Sequence, residues 1–236
     1  MSPGHPGKTE RKRGWTTRIG RTQCWQVEDI PRLFRQPSAV AERETLLDAP
    51  HVASLNGWVR ELRVRLGREA IVPWFDPWDG GDRARILWLL EAPGPKATRE
   101  RGGSGFISCN NNDRTAQNTW ETRVEAGVPR IDVGCWNVIP YYLGSDTRIR
   151  AYNQNDVGAV GALLGELLAL LPKVGAVILG GRAARDVWRE HGPKVTRLTV
   201  IECPHPSPTN LNTRPADRAR IIEAWRTASL ALGSEK

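Results

Sequence analysis

The chain has 236 residues, enough for one α/β domain with a real core. Its formal charge is +8, and Lys8, Arg11, Lys12, Arg13, Arg18 and Arg21 against Glu10 put +5 of that into residues 1–21. Long apolar windows are absent, so a transmembrane helix is excluded, and no apolar stretch follows the N-terminal charges as a secretory signal would require. The four cysteines, Cys24, Cys109, Cys135 and Cys203, show no CxxC spacing. This argues against a zinc ribbon or a small disulfide scaffold and makes a reduced cytoplasmic location the default.

Residues 1–21 read as a disordered or weakly ordered basic tail, either a non-specific phosphate contact or a solvated leader. Residues 22–236 read as a single domain. A linker or docking arm spans 22–37, and a helical pattern runs from Ser38 to Gly67, with Val59, Leu62 and Leu66 at spacings of three and four. The run from Val72 to Gly81 reads as a loop whose aromatics either read bases or pack under the sheet. The first strand covers 85–91, a continuous apolar run ending in Glu91 and a Pro-Gly-Pro turn. A long loop over 92–114 carries Gly102-Gly103-Ser104-Gly105-Phe106 and Asn110-Asn111-Asn112-Asp113.

A helix is expected over 115–126, a second strand over 132–139, and a Leu/Ala-rich helix over 155–171. A third strand over 174–179 turns through Gly180-Gly181 into a helix over 182–191. A fourth strand at 198–202 leads to a Pro/Asn-rich loop at 205–214, and Pro215 opens the last helix. Strands separated by helices predict a three-layer α/β/α fold around a four-stranded parallel sheet with right-handed crossovers. Ligands of such sheets bind outside the carboxyl ends of the strands. Glu91, Asn137 and His205 all fall at strand ends, so one pocket shared by the three is the most economical reading.

Here the chain resembles a known family. Leu90-Glu91-Ala92-Pro93-Gly94 is similar to the first motif of the uracil-DNA glycosylase superfamily, which reads Gly-Glu-Ala-Pro-Gly in its iron–sulfur branch. Trp136-Asn137-Val138-Ile139-Pro140 resembles the strand bearing the uracil-reading Asn, and His205-Pro206-Ser207-Pro208 the second catalytic motif. Gly105-Phe106 falls where the family keeps its stacking Phe, and the resemblance spans residues 70–230. It implies removal of uracil, and by extension of other deaminated bases, from DNA by a monofunctional glycosylase. The alternative is a damaged-base binder of the same fold that does not cut.

The chemistry fits role by role. Cleaving an N-glycosidic bond places positive charge on the sugar and negative charge on the departing base. Glu91 is the candidate for orienting water or offsetting the cation, and His205 for donating to uracil O2. Asn137 offers a donor and an acceptor matching O4 and N3–H, and Phe106 is the candidate to stack on the flipped base. Asp113 is a second carboxylate candidate, either a water activator or a helix cap. Leu211 is either a wedge filling the vacated stack or a residue folded back on the core. Ser207, Asn210, Asn212 and Arg214 are candidate phosphate contacts, and Gly181 opens a helix whose N–H groups either meet a phosphate or simply make a turn.

The departures matter too. The best-known branch has Asp where this chain has Ala92, and a thymine-blocking Tyr where it has Gly94. Both positions would face the base, and thymine exclusion must then come from elsewhere or be incomplete. The cysteines do not match the cluster ligands of the iron–sulfur branch, so neither a cluster nor any other metal or cofactor is expected. The expected partner is uracil-containing DNA bound by a monomer, with no membrane involved.

Overall fold

The structure, a computed structural model, describes residues 29–67, 70–144, 150–194 and 197–233. The basic tail over 1–21 and residues 22–28 of the docking arm lie outside the described residues. In chain order the elements are α1 (Pro37–Glu44), α2 (Ala53–Leu66), β1 (Trp74–Phe75), β2 (Ile86–Leu90), β3 (Phe106–Ile107) and α3 (Arg114–Glu125). There follow β4 (Val133–Asn137), α4 (Gln154–Ala159), α5 (Gly161–Ala169), β5 (Ala176–Gly180), α6 (Arg182–His191), β6 (Thr199–Cys203), α7 (Pro208–Thr213) and α8 (Ala216–Gly233).

The central sheet has the order β4-β2-β5-β6 and is parallel throughout, as expected. Ile86 through Leu89 on β2, all of β4 and all of β5 are buried. Their continuous apolar runs suit strands covered on both faces. One layer contains α3, α7 and α8, with Trp225 of α8 stacked on Trp88 of β2 at 4.5 Å between ring centroids. The other contains α5 and α6, with α6 against β5 and β2.

Several boundaries differ from the sequence reading. The helix expected over 38–67 is two helices, α1 and α2, because Pro50 interrupts the segment between them and cannot donate an N–H. The 155–171 helix likewise breaks at Val160 into α4 and α5, with Gly158 and Gly161 on either side. The stretches taken as loops at 72–81 and 92–114 each yield a two-residue strand, and β1 and β3 pair in parallel with Trp74 opposite Phe106. The aromatics of the first are packing: Phe75 stacks on Trp136 at 3.8 Å.

The N-terminal segment docks through a buried ionic cluster. Asp76 accepts from Arg43, Ser108, Arg130 (2.7 Å) and the Trp78 backbone N–H (2.9 Å). Arg130 also pairs with Asp79 and Asp29, each at 2.8 Å. Burial pushes Asp76 up, but Arg43 and Arg130 outweigh it and hold the carboxyl below the ordinary range. For Asp79 burial wins over Arg130, and its carboxyl is pushed up to about 6.

Candidate functional site at the carboxyl end of the sheet

The local sequence explains why polar groups gather here. Leu90 pairs with Asn137, so the last residue of β4 lies beside the last of β2, and Glu91 follows at once. The two segments stay together past the strands, because Val138 N donates to Leu90 O at 2.8 Å and Ile139 N to Glu91 O at 3.0 Å. On the other side β5 ends at Gly180, opposite Cys203 of β6, and His205 comes two residues later. Strands lie about 4.8 Å apart, so the end of β6 lies about 10 Å from the end of β2. Glu91, Asn137 and His205 therefore share one edge of one sheet.

Their environments differ. Glu91 is half-buried, and its carboxylate has neither a hydrogen bond nor an ion pair among the described residues. Burial alone pushes its pKa above the usual glutamate range. Asn137 is 4% exposed, and its amide has no protein partner among the described residues. The His205 ring is better held. Ser207 N donates to Nδ1 at 3.2 Å, which leaves the proton of the neutral ring on Nε2. Desolvation pushes its pKa down to about 4, so the ring is a neutral donor at physiological pH.

Two amides set the backbone that carries this ring. Asn118, 5% exposed on α3, donates to Pro206 O at 2.7 Å, and Asn210 donates to His205 O at 3.2 Å. Asn118 was missed in the sequence. Its one signal there is a polar residue on the buried face of a helix, and its partner lies 88 residues away.

Other candidates are placed elsewhere or already engaged. Phe106 is fully buried, packed on Phe34 at 5.7 Å, with no face open to a base. Pairing of β3 with β1 fixes the alternation, sending Ile107 into the main core and Phe106 into a satellite core with Leu33, Phe34, Ala39 and Val40. Asp113 is the N-cap of α3, accepting from Ala116 N at 2.9 Å, which is the cap reading.

The 205–214 loop is in part the helix α7. Ser207 caps it, with Asn210 N donating to its Oγ at 3.3 Å, and Pro208 occupies the first turn. The helix turns Leu211 back onto the main core rather than outward as a wedge. Ser207 and Asn210 are thus engaged within the protein, whereas Asn212 and Arg214 are exposed.

Gly181 is not a free phosphate donor, since its N–H is bound to Cys203 O at 3.0 Å. With φ at +97° and His205 Cβ only 2.8 Å from where a side chain would start, the position requires glycine so that the ring can sit close. Gly94 is the opposite case: it is exposed, and a Cβ there would meet nothing within 4 Å. Ala92 is partly buried against the core.

Two clefts formed by the described residues are not lined by Glu91, Asn137 or His205. Among the described residues no group of His, Cys, Asp and Glu is arranged to hold a metal ion, and no helix is long and apolar enough to cross a membrane.

Residues 77–228 match the family described as the Uracil DNA glycosylase superfamily. No curated protein matches the chain. Among solved structures, the NMR structure of a candidate uracil DNA glycosylase from Methanosarcina acetivorans is 14% identical, with a TM-score of 0.41, covering 63% of this chain and 92% of that one.

Proposed function

Since the chain belongs to the uracil DNA glycosylase superfamily, we propose that it hydrolyses the N-glycosidic bond of uracil flipped out of DNA, releasing the free base and leaving an abasic site. The observation that carries this reading is the half-buried carboxylate of Glu91, one residue past the Leu90–Asn137 pair, at the same end of the sheet as His205, whose neutral ring keeps its proton on Nε2.

In this reading the C1′–N1 bond breaks as the base departs with the bonding electrons. His205 Nε2–H donates a hydrogen bond to the uracil O2 as negative charge builds there, and such a donor is worth roughly 3–4 kcal/mol. A neutral ring suits that role, because it stabilises the anion without having to surrender a proton. Asn137 has a free donor and acceptor for the O4 and N3–H edge, which selects uracil over cytosine in one amide orientation. Glu91, ionised, faces the cationic sugar and takes the proton of the water that adds to C1′. Stacking by Phe106 would require Phe34 to move aside, so it has no part in this scheme.

The test is to incubate the protein with uracil-containing single- and double-stranded DNA, then measure free uracil by chromatography and strand cleavage after alkali. Release of the base with an alkali-labile site supports the reading; no release beside an active control enzyme overturns it. A panel with hypoxanthine, xanthine and thymine mispairs defines the base range. Ala92, in place of the aspartate of the best-known branch, favours a second reading, a protein that holds damaged bases without cutting. Salt-sensitive retention on uracil DNA with no base released selects it.

A further inference from the structure

A cleft of about 490 Å³ lies between α1 and the loop over 95–104. Phe34, Arg35, Val40 and Glu44 line one wall, and Lys96, Arg99 and Ser104 the other. The first wall is built entirely by residues that precede the family match at 77, so it belongs to this chain's own N-terminal segment.

Both walls of the cleft are anchored to the body. Phe34, Val40 and Ser104 are buried, Ser104 Oγ is hydrogen-bonded to Asn111 Oδ1, and Phe34 N donates to Asn110 O at 3.0 Å. Its charge is unbalanced. Arg99 pairs with Glu44 at 2.8 Å, whereas Arg35 and Lys96 are exposed without an ion pair among the described residues. The two uncompensated cations call for an anion.

Position bears on the choice of anion. Lys96 is five residues after Glu91, so the two backbones are at most about 18 Å apart. Along a DNA strand that is about five nucleotides at 3.4 Å of rise each. We propose that this cleft is a second DNA contact, in which Arg35 and Lys96 hold phosphodiester groups of the strand flanking the target nucleotide. The choice of DNA rests on the function proposed above.

The experiment is a fluorescence-anisotropy titration of the full chain with a labelled single-uracil duplex between 50 and 200 mM salt. Arg35→Glu/Lys96→Glu is compared with wild type and with Arg83→Glu/Lys173→Glu, which removes the same charge at exposed positions preceding β2 and β5, at the opposite end of the sheet. Thermal unfolding confirms that the variants fold. Each lost phosphate contact lowers the slope of log affinity against log salt by about 0.9. The cleft variant is therefore expected to lose about 1.8 in slope and at least tenfold in affinity at 50 mM, with the remote pair losing far less.

An unchanged slope, an equal loss in the remote pair, or no DNA binding by the wild type overturns the proposal. Free uracil is measured in the same samples. A cleft-dependent slope without base release keeps the second contact and rejects the glycosylase, and base release with an unchanged slope does the reverse.

Discussion

Two groups of charged and polar side chains in this molecule have opposite fates. In the cluster beneath the N-terminal segment, every oxygen of Asp76 is engaged, by Arg43, Arg130, Ser108 and a backbone N–H. At the carboxyl edge of the sheet, Glu91 and Asn137 have no side-chain partner among the described residues. Asp76 has nothing left for a ligand and holds the N-terminal segment to the body, although Asp79 Oδ2 in the same cluster is buried without a hydrogen-bond partner. The second group leaves an acid and an amide unspent where a parallel sheet binds its ligands. Between Asp76 and Asn137 the difference is saturation and not burial, since both are buried.

The largest expected effect sharpens the contrast on the functional side. Glu91→Gln should lower the uracil-release rate by roughly 10²–10⁴ while the urea midpoint stays near wild type. His205→Ala should cost roughly 10²–10³ in the same single-turnover assay. Equal loss of folding stability in Glu91→Gln would erase the distinction between the two regions.

Next, Asp76→Ala should leave Arg43 and Arg130 short of a buried counter-charge and destabilise the fold by about 3–5 kcal/mol in urea unfolding. The folded fraction should retain its rate, because the cluster does not enter the chemistry. A rate loss at full folding would place it in the site.

The pH profile tests the proton states. Glu91 must be ionised and titrates above the ordinary 4.5, whereas His205 stays neutral down to about 4. As pH falls, Glu91 therefore protonates first, and the acid limb of the rate profile should have a midpoint above 4.5 and vanish in Glu91→Gln. Activity that rises between pH 6.5 and 4 would instead mean a charged histidine donor.

Asn118→Ala should be the smallest of these changes. It orphans the buried Pro206 carbonyl, at about 1–3 kcal/mol, and loosens the His205 backbone. The expected signature of a positioning residue is a lower kcat with little change in KM, and partial rescue by Asn118→Gln. Loss of stability with kcat intact would make it a packing residue.

Much of the fold was legible from local pattern. Buried parallel strands are continuous apolar runs, so β2, β4 and β5 showed themselves, as did the polar residues that end them. Gly181 was visible as a turn, but its role was not, because the ring it accommodates arrives from β6. Phe106 was misplaced for a similar reason: its direction depends on pairing between two two-residue strands, too short to leave a period. Residues 205–214 read as a loop, although Ser207 and Pro208 together form a helix start, and that helix carries Leu211 onto the core.

The sequence by itself determined the alternation of the main strands and helices and, to within two residues, where each strand of the central sheet ends, since those follow from periods of two and 3.6 along the chain. The tertiary structure alone decided which polar groups are used up. Asp76 meets Arg43 and Arg130 across 33 and 54 residues, and Asn118 meets Pro206 across 88. Whether a carboxylate or an amide is satisfied depends on partners brought together by folding, and no local pattern encodes a partner at that distance.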